Sequence, residues 1–280
     1  MEKMLKVITW NCHRAAATSG VWDYLLESAP DVALLQEVSE IPERVRSQFA
    51  CTESAAMGKN GHRQQFKTAL IVKGKIGDAI RLTGAAPWVD AELERFSGNL
   101  LARELTLENG EYLKAVSVYS PAWPIDRSRF DGHDITEVTL KQNPNNVWAA
   151  DVLWAGLRSV DLRSGNSWVI AGDFNLSETF DAGRRGPRGN REYLDRMKAL
   201  GLVECLRHFK GALTPTFRNT SDGVVKHQID HMFVTSGLAR RLRDCKTGPE
   251  TIFRDGLSDH LPIVADFNPI ETSTPGDVTA

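Results

Sequence analysis

Apolar positions along this chain fall into short runs, and clusters of polar residues interrupt them at fairly even spacing. Leu5 to Trp10 alternates well enough to predict a strand. Trp22 to Glu27 has the spacing of a short helix, and Val32 to Leu35 reads as a buried strand. Ile41 to Phe49 predicts a second helix, with Pro42 in its first turn. Ala69 to Lys73, Leu101 to Leu107 and Tyr112 to Tyr119 read as strands. Glu108-Asn109-Gly110-Glu111 is a hairpin signal between the last two.

Pro121 to Asn146 breaks the pattern. It is long and polar, with Pro121, Pro124 and Pro144, and a loop of that length is usually functional or disordered. Val147 to Leu162 then predicts a helix, Trp168 to Ala171 a strand, and Arg191 to Leu200 a helix stopped by Gly201. Gln228 to Val234 and Leu261 to Phe267 predict the final strands. Residues 268–280 are polar, and 271–280 read as a disordered tail. Helices and strands alternate through both hairpins and crossovers, which supports an α/β or α+β class. No Pro/Gly/Ser-rich linker divides the chain, so residues 1–270 read as one catalytic domain.

Composition changes this picture little. With 41% hydrophobic and 25% charged residues, the chain reads as a soluble globular protein. No apolar stretch approaches the ~20 residues needed to span a bilayer, and the first residues do not form a secretory signal. The cysteines Cys12, Cys51, Cys205 and Cys245 form no CxxC pair, which argues against zinc and for a reduced, cytoplasmic protein. A monomer is the simplest expectation. The formal net charge of −2 is not the footprint of a dedicated nucleic-acid binder. However, residues 184–246 hold 14 Lys/Arg against 6 Asp/Glu. That local excess fits either a phosphate-binding surface or an ordinary solvated face.

The candidate chemistry lies at the ends of the apolar runs. Ile8-Thr9-Trp10-Asn11, Leu34-Leu35-Gln36-Glu37 and Ala171-Gly172-Asp173-Phe174-Asn175 each deliver polar residues after a strand. Gln228-Ile229-Asp230-His231 and Leu257-Ser258-Asp259-His260 follow. Alone, each has an ordinary reading as a turn, a solvated strand end or a local hydrogen-bonded pair. Together they combine hard oxygen ligands with an imidazole, a set suited to a divalent cation acting on a phosphate ester. His260 is the best imidazole candidate for acid, base or phosphate-binding work, and Asp230 is its expected orienting partner. His231 should point to the opposite face of its strand and be structural. His227, His208, His133 and His62 read as solvent-exposed.

The order Asn, Gln-Glu, Tyr-Ser-Pro, Gly-Asp-Phe-Asn, Ile-Asp, Ser-Asp-His resembles the endonuclease/exonuclease/phosphatase superfamily from about Lys6 to Phe267. The resemblance implies a four-layer α/β/β/α sandwich of two mixed sheets, with pseudo-symmetric halves split near residue 150 and the active site at one edge. It implies a metal-dependent phosphodiester hydrolase, first of all a DNA endonuclease or exonuclease. A phosphatase or phosphodiesterase on a lipid or inositol headgroup is the alternative, and a catalytically inactive binding protein on the same fold is a third class. Mg²⁺ (or Mn²⁺) is the implied cofactor and DNA the implied partner. By the same resemblance Glu37, Asp259 and Asn11 hold the metal. Asp173 aligns or deprotonates the attacking water, Asn175 hydrogen-bonds the phosphate, and Tyr119 stands beside it. His13 lies where repair-nuclease relatives often carry an acid, which leaves a second metal ligand open and makes His13 a candidate phosphate ligand. Arg184, Arg185 and Arg188 form a candidate substrate-gripping loop. Phe217 either touches substrate or packs.

Overall fold

A computed structural model describes residues 3–58, 61–162, 165–183 and 188–270. In chain order the strands are β1 (Leu5–Ala15), β2 (Val32–Val38), β3 (Ala50–Met57), β4 (Arg63–Val72), β5 (Gly74–Ala79), β6 (Leu100–Leu107) and β7 (Tyr112–Tyr119). They continue with β8 (Trp168–Asp173), β9 (Leu202–Glu204), β10 (Phe217–Arg218), β11 (Val225–His227), β12 (Asp230–Thr235), β13 (Leu242–Thr247) and β14 (Ile263–Phe267). Twelve of them form two six-stranded sheets, ordered β13-β14-β1-β2-β4-β3 and β5-β6-β7-β8-β12-β9, while β10 and β11 form a small ribbon.

Alternation along the strands separates three apolar layers. Leu5, Val7, Val32 and Leu34 of the first sheet face Leu113, Ala115, Val169, Ala171 and Met232 of the second. The opposite face of the first sheet carries Ile8, Trp10, Ala33 and Leu35. It packs on Val21, Trp22 and Leu25 of the helix Val21–Ser28 and on Ile252 and Phe253 of Thr251–Arg254. The outer face of the second sheet, with Val116, Val118, Trp168 and Ile170, is covered by the helices Pro87–Arg95, Ala149–Leu157 and Asn190–Ala199. The result is the expected α/β/β/α sandwich.

Each sheet has one parallel pair, β1 with β2 and β7 with β8, flanked on both sides by antiparallel neighbours. The pairing patterns of the two sheets therefore match, as pseudo-symmetry requires. The chain does not divide near residue 150, however. The first sheet takes β1 to β4 from residues 5–72 and β13 and β14 from 242–267, and the second takes the strands between.

Some elements differ from the sequence pattern. The helix expected over 41–49 is one turn, Glu43–Arg46, because Pro42 is extended (ψ 155°) and caps it from outside. The helix expected over 147–162 is Ala149–Leu157. Pro121 to Asn146 holds only the short 3₁₀ turn Arg127–Arg129, yet it is packed. Ile125, Phe130, Val138 and Leu140 join the outer core. Arg129 grips the buried Glu92 through Nε (3.0 Å) and Nη2 (2.5 Å). Arg196 donates to the carbonyls of Val138 (2.8 Å) and Thr139 (2.7 Å). Among the described residues no helix is long and apolar enough to cross a membrane, and all four cysteines are free.

Candidate active site

Strand direction gathers the polar motifs. β1, β2, β7 and β8 all run toward one edge of the sandwich, ending near Asn11, Glu37, Tyr119 and Asp173. β12 is antiparallel and begins there, with Asp230 paired to Asp173. His260 lies just before β14, the antiparallel neighbour of β1, and its carbonyl accepts from Trp10 Nε1 at 2.9 Å. The backbone is bent to serve this edge. Of five non-glycine residues with positive φ among the described residues, four are His13, Arg14, Glu37 and Asn175. β1 and β2 both lose regular register at this level. Such irregularities re-aim side chains at a local cost in strain. Gly172 is required for a different reason: a Cβ there would run into the Val118 carbonyl of β7.

Asp173 is the centre of the site and is fully buried. Its Oδ2 accepts from Asn11 Nδ2 (3.0 Å) and Asn175 Nδ2 (3.0 Å), and its Oδ1 from the Asn175 backbone N–H (2.9 Å). An extended Asp-Phe-Asn would place Asp173 and Asn175 on one face. Instead Asn175 is left-handed (φ 51°), and the hydrogen bonds close the pair. Phe174 packs inward as that reading expected. The second amide proton of Asn175 goes to the Ser120 carbonyl at 2.9 Å. Both Asn175 N–H groups are therefore committed, and in this state it holds Asp173 and leaves only its Oδ1 to face a ligand. Asn11 is equally engaged. Its Nδ2 also reaches Glu37 Oε1 (3.4 Å), and its Oδ1 accepts from the His13 backbone N–H (3.0 Å).

Beside this group, His260 Nδ1 contacts both oxygens of Asp230, at 2.9 and 3.1 Å. Asp230 is held in turn by Thr216 Oγ1 at 2.7 Å. Ser258 Oγ donates to the Asn11 carbonyl (2.7 Å) and accepts from the His260 backbone N–H (3.0 Å), tying the two motifs together. Thr216 and Ser258 carry no metal or proton chemistry of their own. Thr216 has no sequence signal beyond its place beside Phe217, whereas Ser258 stands in the Ser-Asp-His pattern. Burial disfavours the charged imidazole, but Asp230, then Asp173 and Asp259, outweigh it and raise His260 above its ordinary value. Burial also pushes Asp173 up, opposed by His260 and reinforced by Asp230. A buried imidazolium locked to a carboxylate, with Nε2 left over, is an oriented proton donor.

The remaining candidates occupy distinct places. Tyr119 is buried, stands edge-on to Phe66 at 5.1 Å, and is kept neutral first by burial and then by Glu37 and Asp173. Asp259 Oδ1 pairs with His13 Nδ1 at 2.9 Å and lies 4.0 Å from His260 Nε2. Phe217 stacks obliquely on His260, ring centres 4.9 Å apart. Arg188 is exposed, and Arg184 and Arg185 lie outside the described residues. His227 is buried, against expectation, because Thr179 Oγ1 (2.7 Å) and the Phe180 ring (4.4 Å) cover it. His231 is structural, with Nε2 on the Leu176 carbonyl at 3.1 Å.

Two groupings offer metal-binding atoms. Asp173, Asp230 and His260 bring one ligand atom each within 4.8 Å of one another, but most of those atoms are spent on Thr216, Asn11, Asn175 and each other. Glu37, beside the Asn11 amide at 3.4 Å, and Asp259, paired with His13, supply further carboxylate oxygens. That donor chemistry fits Mg²⁺, which takes few protein ligands and keeps its waters.

The sequence model of the Endonuclease/Exonuclease/phosphatase family matches residues 8–260. No curated protein sequence matches the chain. Solved structures similar to it include a 3′-5′ exonuclease (NExo) from Neisseria meningitidis, with TM-score 0.68 and 18% identity over 95% of this chain and all of the other. An AP endonuclease from Archaeoglobus fulgidus gives TM-score 0.66 and 19% identity over 95% of this chain and all of that one. The AP endonuclease LMAP from Leishmania major gives TM-score 0.64 and 16% identity over 95% and 88% of the two chains. At such identities the shared property is the fold.

Proposed function

The chain belongs to the endonuclease/exonuclease/phosphatase family, and on that premise we propose that it is a divalent-metal-dependent hydrolase of phosphodiester bonds in DNA. The observation that carries this reading is the buried Asp230–His260 pair set against the Asn11–Asp173–Asn175 hydrogen-bonded group at one sheet edge. DNA is favoured as substrate because similar folds belong to exonucleases and AP endonucleases, and one is a Neisseria 3′ phosphatase bound to a product DNA hairpin.

Glu37, Asn11 and Asp259 would hold Mg²⁺ or Mn²⁺, which when bound neutralises phosphoryl oxygen charge. The chain's own groups do the rest. Asp173 accepts a proton from, or orients, the attacking water, while Asn11 and Asn175 fix its carboxylate. His260 presents Nε2–H to a phosphate oxygen, and Asp230 keeps Nδ1 protonated and the ring aimed. Tyr119, neutral and beside Glu37, adds an O–H donor. His13, released from Asp259, is a further phosphate ligand.

The test is hydrolysis of plasmid DNA, inositol phosphates and a generic phosphodiester, side by side, with Mg²⁺ or EDTA. DNA cleavage should need the metal, and Glu37→Gln should lower it at least ~100-fold with the fold intact. Full activity in EDTA would overturn the metal reading. Turnover of inositol phosphates without DNA cleavage would transfer the site to the phosphatase branch of the family.

A further inference from the structure

Tyr119 crosses from one sheet to the other. Its backbone ends β7 of the second sheet, but its ring packs on Ala56 and Phe66 of β3 and β4 in the first. Its hydroxyl lies beside the Glu37 carboxylate, near the end of β2. The reach of that O–H therefore depends on how the site-facing end of β7 is held against the first sheet. Here the chain leaves the helix Pro87–Arg95 and enters β6 through Gly98 and Asn99. Gly98 lies directly against β3, since a Cβ there would collide with the Ala55 carbonyl. Asn99 follows it into the seam between the two sheets and is fully buried.

Asn99 commits its polar groups to both sheets. Toward β3, its Oδ1 accepts from the Met57 N–H (2.7 Å) and its Nδ2 donates to the Met57 carbonyl (3.2 Å). Toward β7, Nδ2 also donates to the Tyr119 carbonyl (3.2 Å), and the Asn99 carbonyl accepts from the Tyr119 N–H (2.7 Å). Both backbone groups of Tyr119 thus end on one residue, and that residue is bonded in turn to Met57 of the other sheet. A buried polar group satisfied on every side fixes one arrangement of its neighbours. Such precision matters here, because a misplacement of about 1 Å caused far from the chemistry can cost about 100-fold in rate.

We propose that Asn99 is a positioning residue for the hydrolytic reaction: by tying Met57 of the first sheet to Tyr119 of the second, it holds the Tyr119 hydroxyl beside Glu37, where it can donate to a substrate phosphate. The proposal rests on the part given to Tyr119 above and explains how that part is kept in place. Asn99 itself is sealed from solvent and touches no substrate.

The experiment is a double-mutant cycle on kcat, read on plasmid DNA and on a generic phosphodiester in Mg²⁺. Asn99→Ala should lower kcat about 10–100-fold with a native circular dichroism spectrum, and Tyr119→Phe should lower it comparably. A residue that acts only through the hydroxyl has nothing to lose once the hydroxyl is gone. Asn99→Ala should therefore change the Tyr119→Phe enzyme by less than about twofold. A residue that merely supports the sheets would cost the same in both backgrounds. Asn99→Asp keeps the shape and the acceptor for the Met57 N–H but sets an oxygen against the two carbonyls. It should give the same pattern, and it carries the test if Asn99→Ala does not fold. Equal losses in both backgrounds, or an unchanged kcat in a folded Asn99 variant, would overturn the proposal and leave the hydrolase reading standing. If Tyr119→Phe works as fast as wild type, the hydroxyl is not used and the role of Asn99 falls with it. If wild type hydrolyses neither substrate, the hydrolase reading fails and takes this assignment with it.

Discussion

Asp230 and His260 are the residues whose partnership is most exposed to test. Their two contacts, 2.9 and 3.1 Å, and the bond from Thr216 make them one unit. Losses within a unit do not add. Asp230→Asn and His260→Ala should each reduce turnover severely, and the double variant should be little worse than His260→Ala. Additive free energies across that cycle would separate them. The same pair makes a pH-dependent contribution to folding. His260 is raised to about 10 in the fold against roughly 6.5 unfolded. Its contribution is therefore complete below roughly pH 6.5 and is lost as pH rises through the folded value. Urea unfolding across that range should show wild type losing stability relative to Asp230→Asn. At this scale the sequence was most legible, because Asn11, Glu37, Tyr119, Asp173, Asn175, Asp230, Asp259 and His260 are polar residues beside apolar runs, most of them buried at one sheet edge. The roles of Thr216 and Ser258 were not legible, since a hydroxyl that orients its neighbours looks like any other hydroxyl in a sequence.

Elements were read well where one hydrophobic period dominates and poorly where packing overrides it. β1, β2, β6, β7 and β8 follow their apolar runs. β3, β5 and β13 carry exposed or mixed residues and show no clear alternation, so their pairing with β4, β6 and β14 had no local signal. The helix Ala149–Leu157 illustrates a cost that pattern alone cannot show. Asp151, in its first turn, accepts from the Trp148 N–H (2.9 Å) but is buried. Burial pushes its carboxyl up to about 7, and the Trp148 bond and Arg196 only partly offset this. A carboxyl raised in the fold favours folding while protonated, and that advantage is lost as pH rises from roughly 3.9 through about 7. Asp151→Asn keeps an acceptor for Trp148 and cannot ionise. Its melting temperature should exceed that of wild type at pH 8 by about 2–5 °C, with the gap closing near pH 4. An equal gap at both pH values would mean that ionisation of Asp151 is not its source.

At the scale of the whole molecule, the site exists only because two sheets meet in register. Gln36 and Ser117 bridge them in the apolar middle layer: Gln36 Nε2 donates to Ser117 Oγ (3.0 Å), which donates on to the Leu35 carbonyl (3.3 Å). Ser117→Val should cost about 0.5–1.5 kcal/mol by removing one net hydrogen bond, since Gln36 Nε2 keeps the Leu34 carbonyl at 3.0 Å, measurable by urea unfolding. A stability unchanged from wild type would show that the bridge does not fix the sheets. The matching pairing pattern of the two sheets left no repeat in the sequence, because it resides in backbone pairing that many residue choices satisfy. One consequence concerns the ribosome. β1 is completed by β14, and Trp10 is bonded to His260, 250 positions later. At roughly 5–20 residues per second, about 13–50 s separate synthesis of the first catalytic motif from the last. Throughout that interval the nascent chain lacks both His260 and β14, the sheet neighbour of β1, so the candidate site stays incomplete until synthesis is nearly finished.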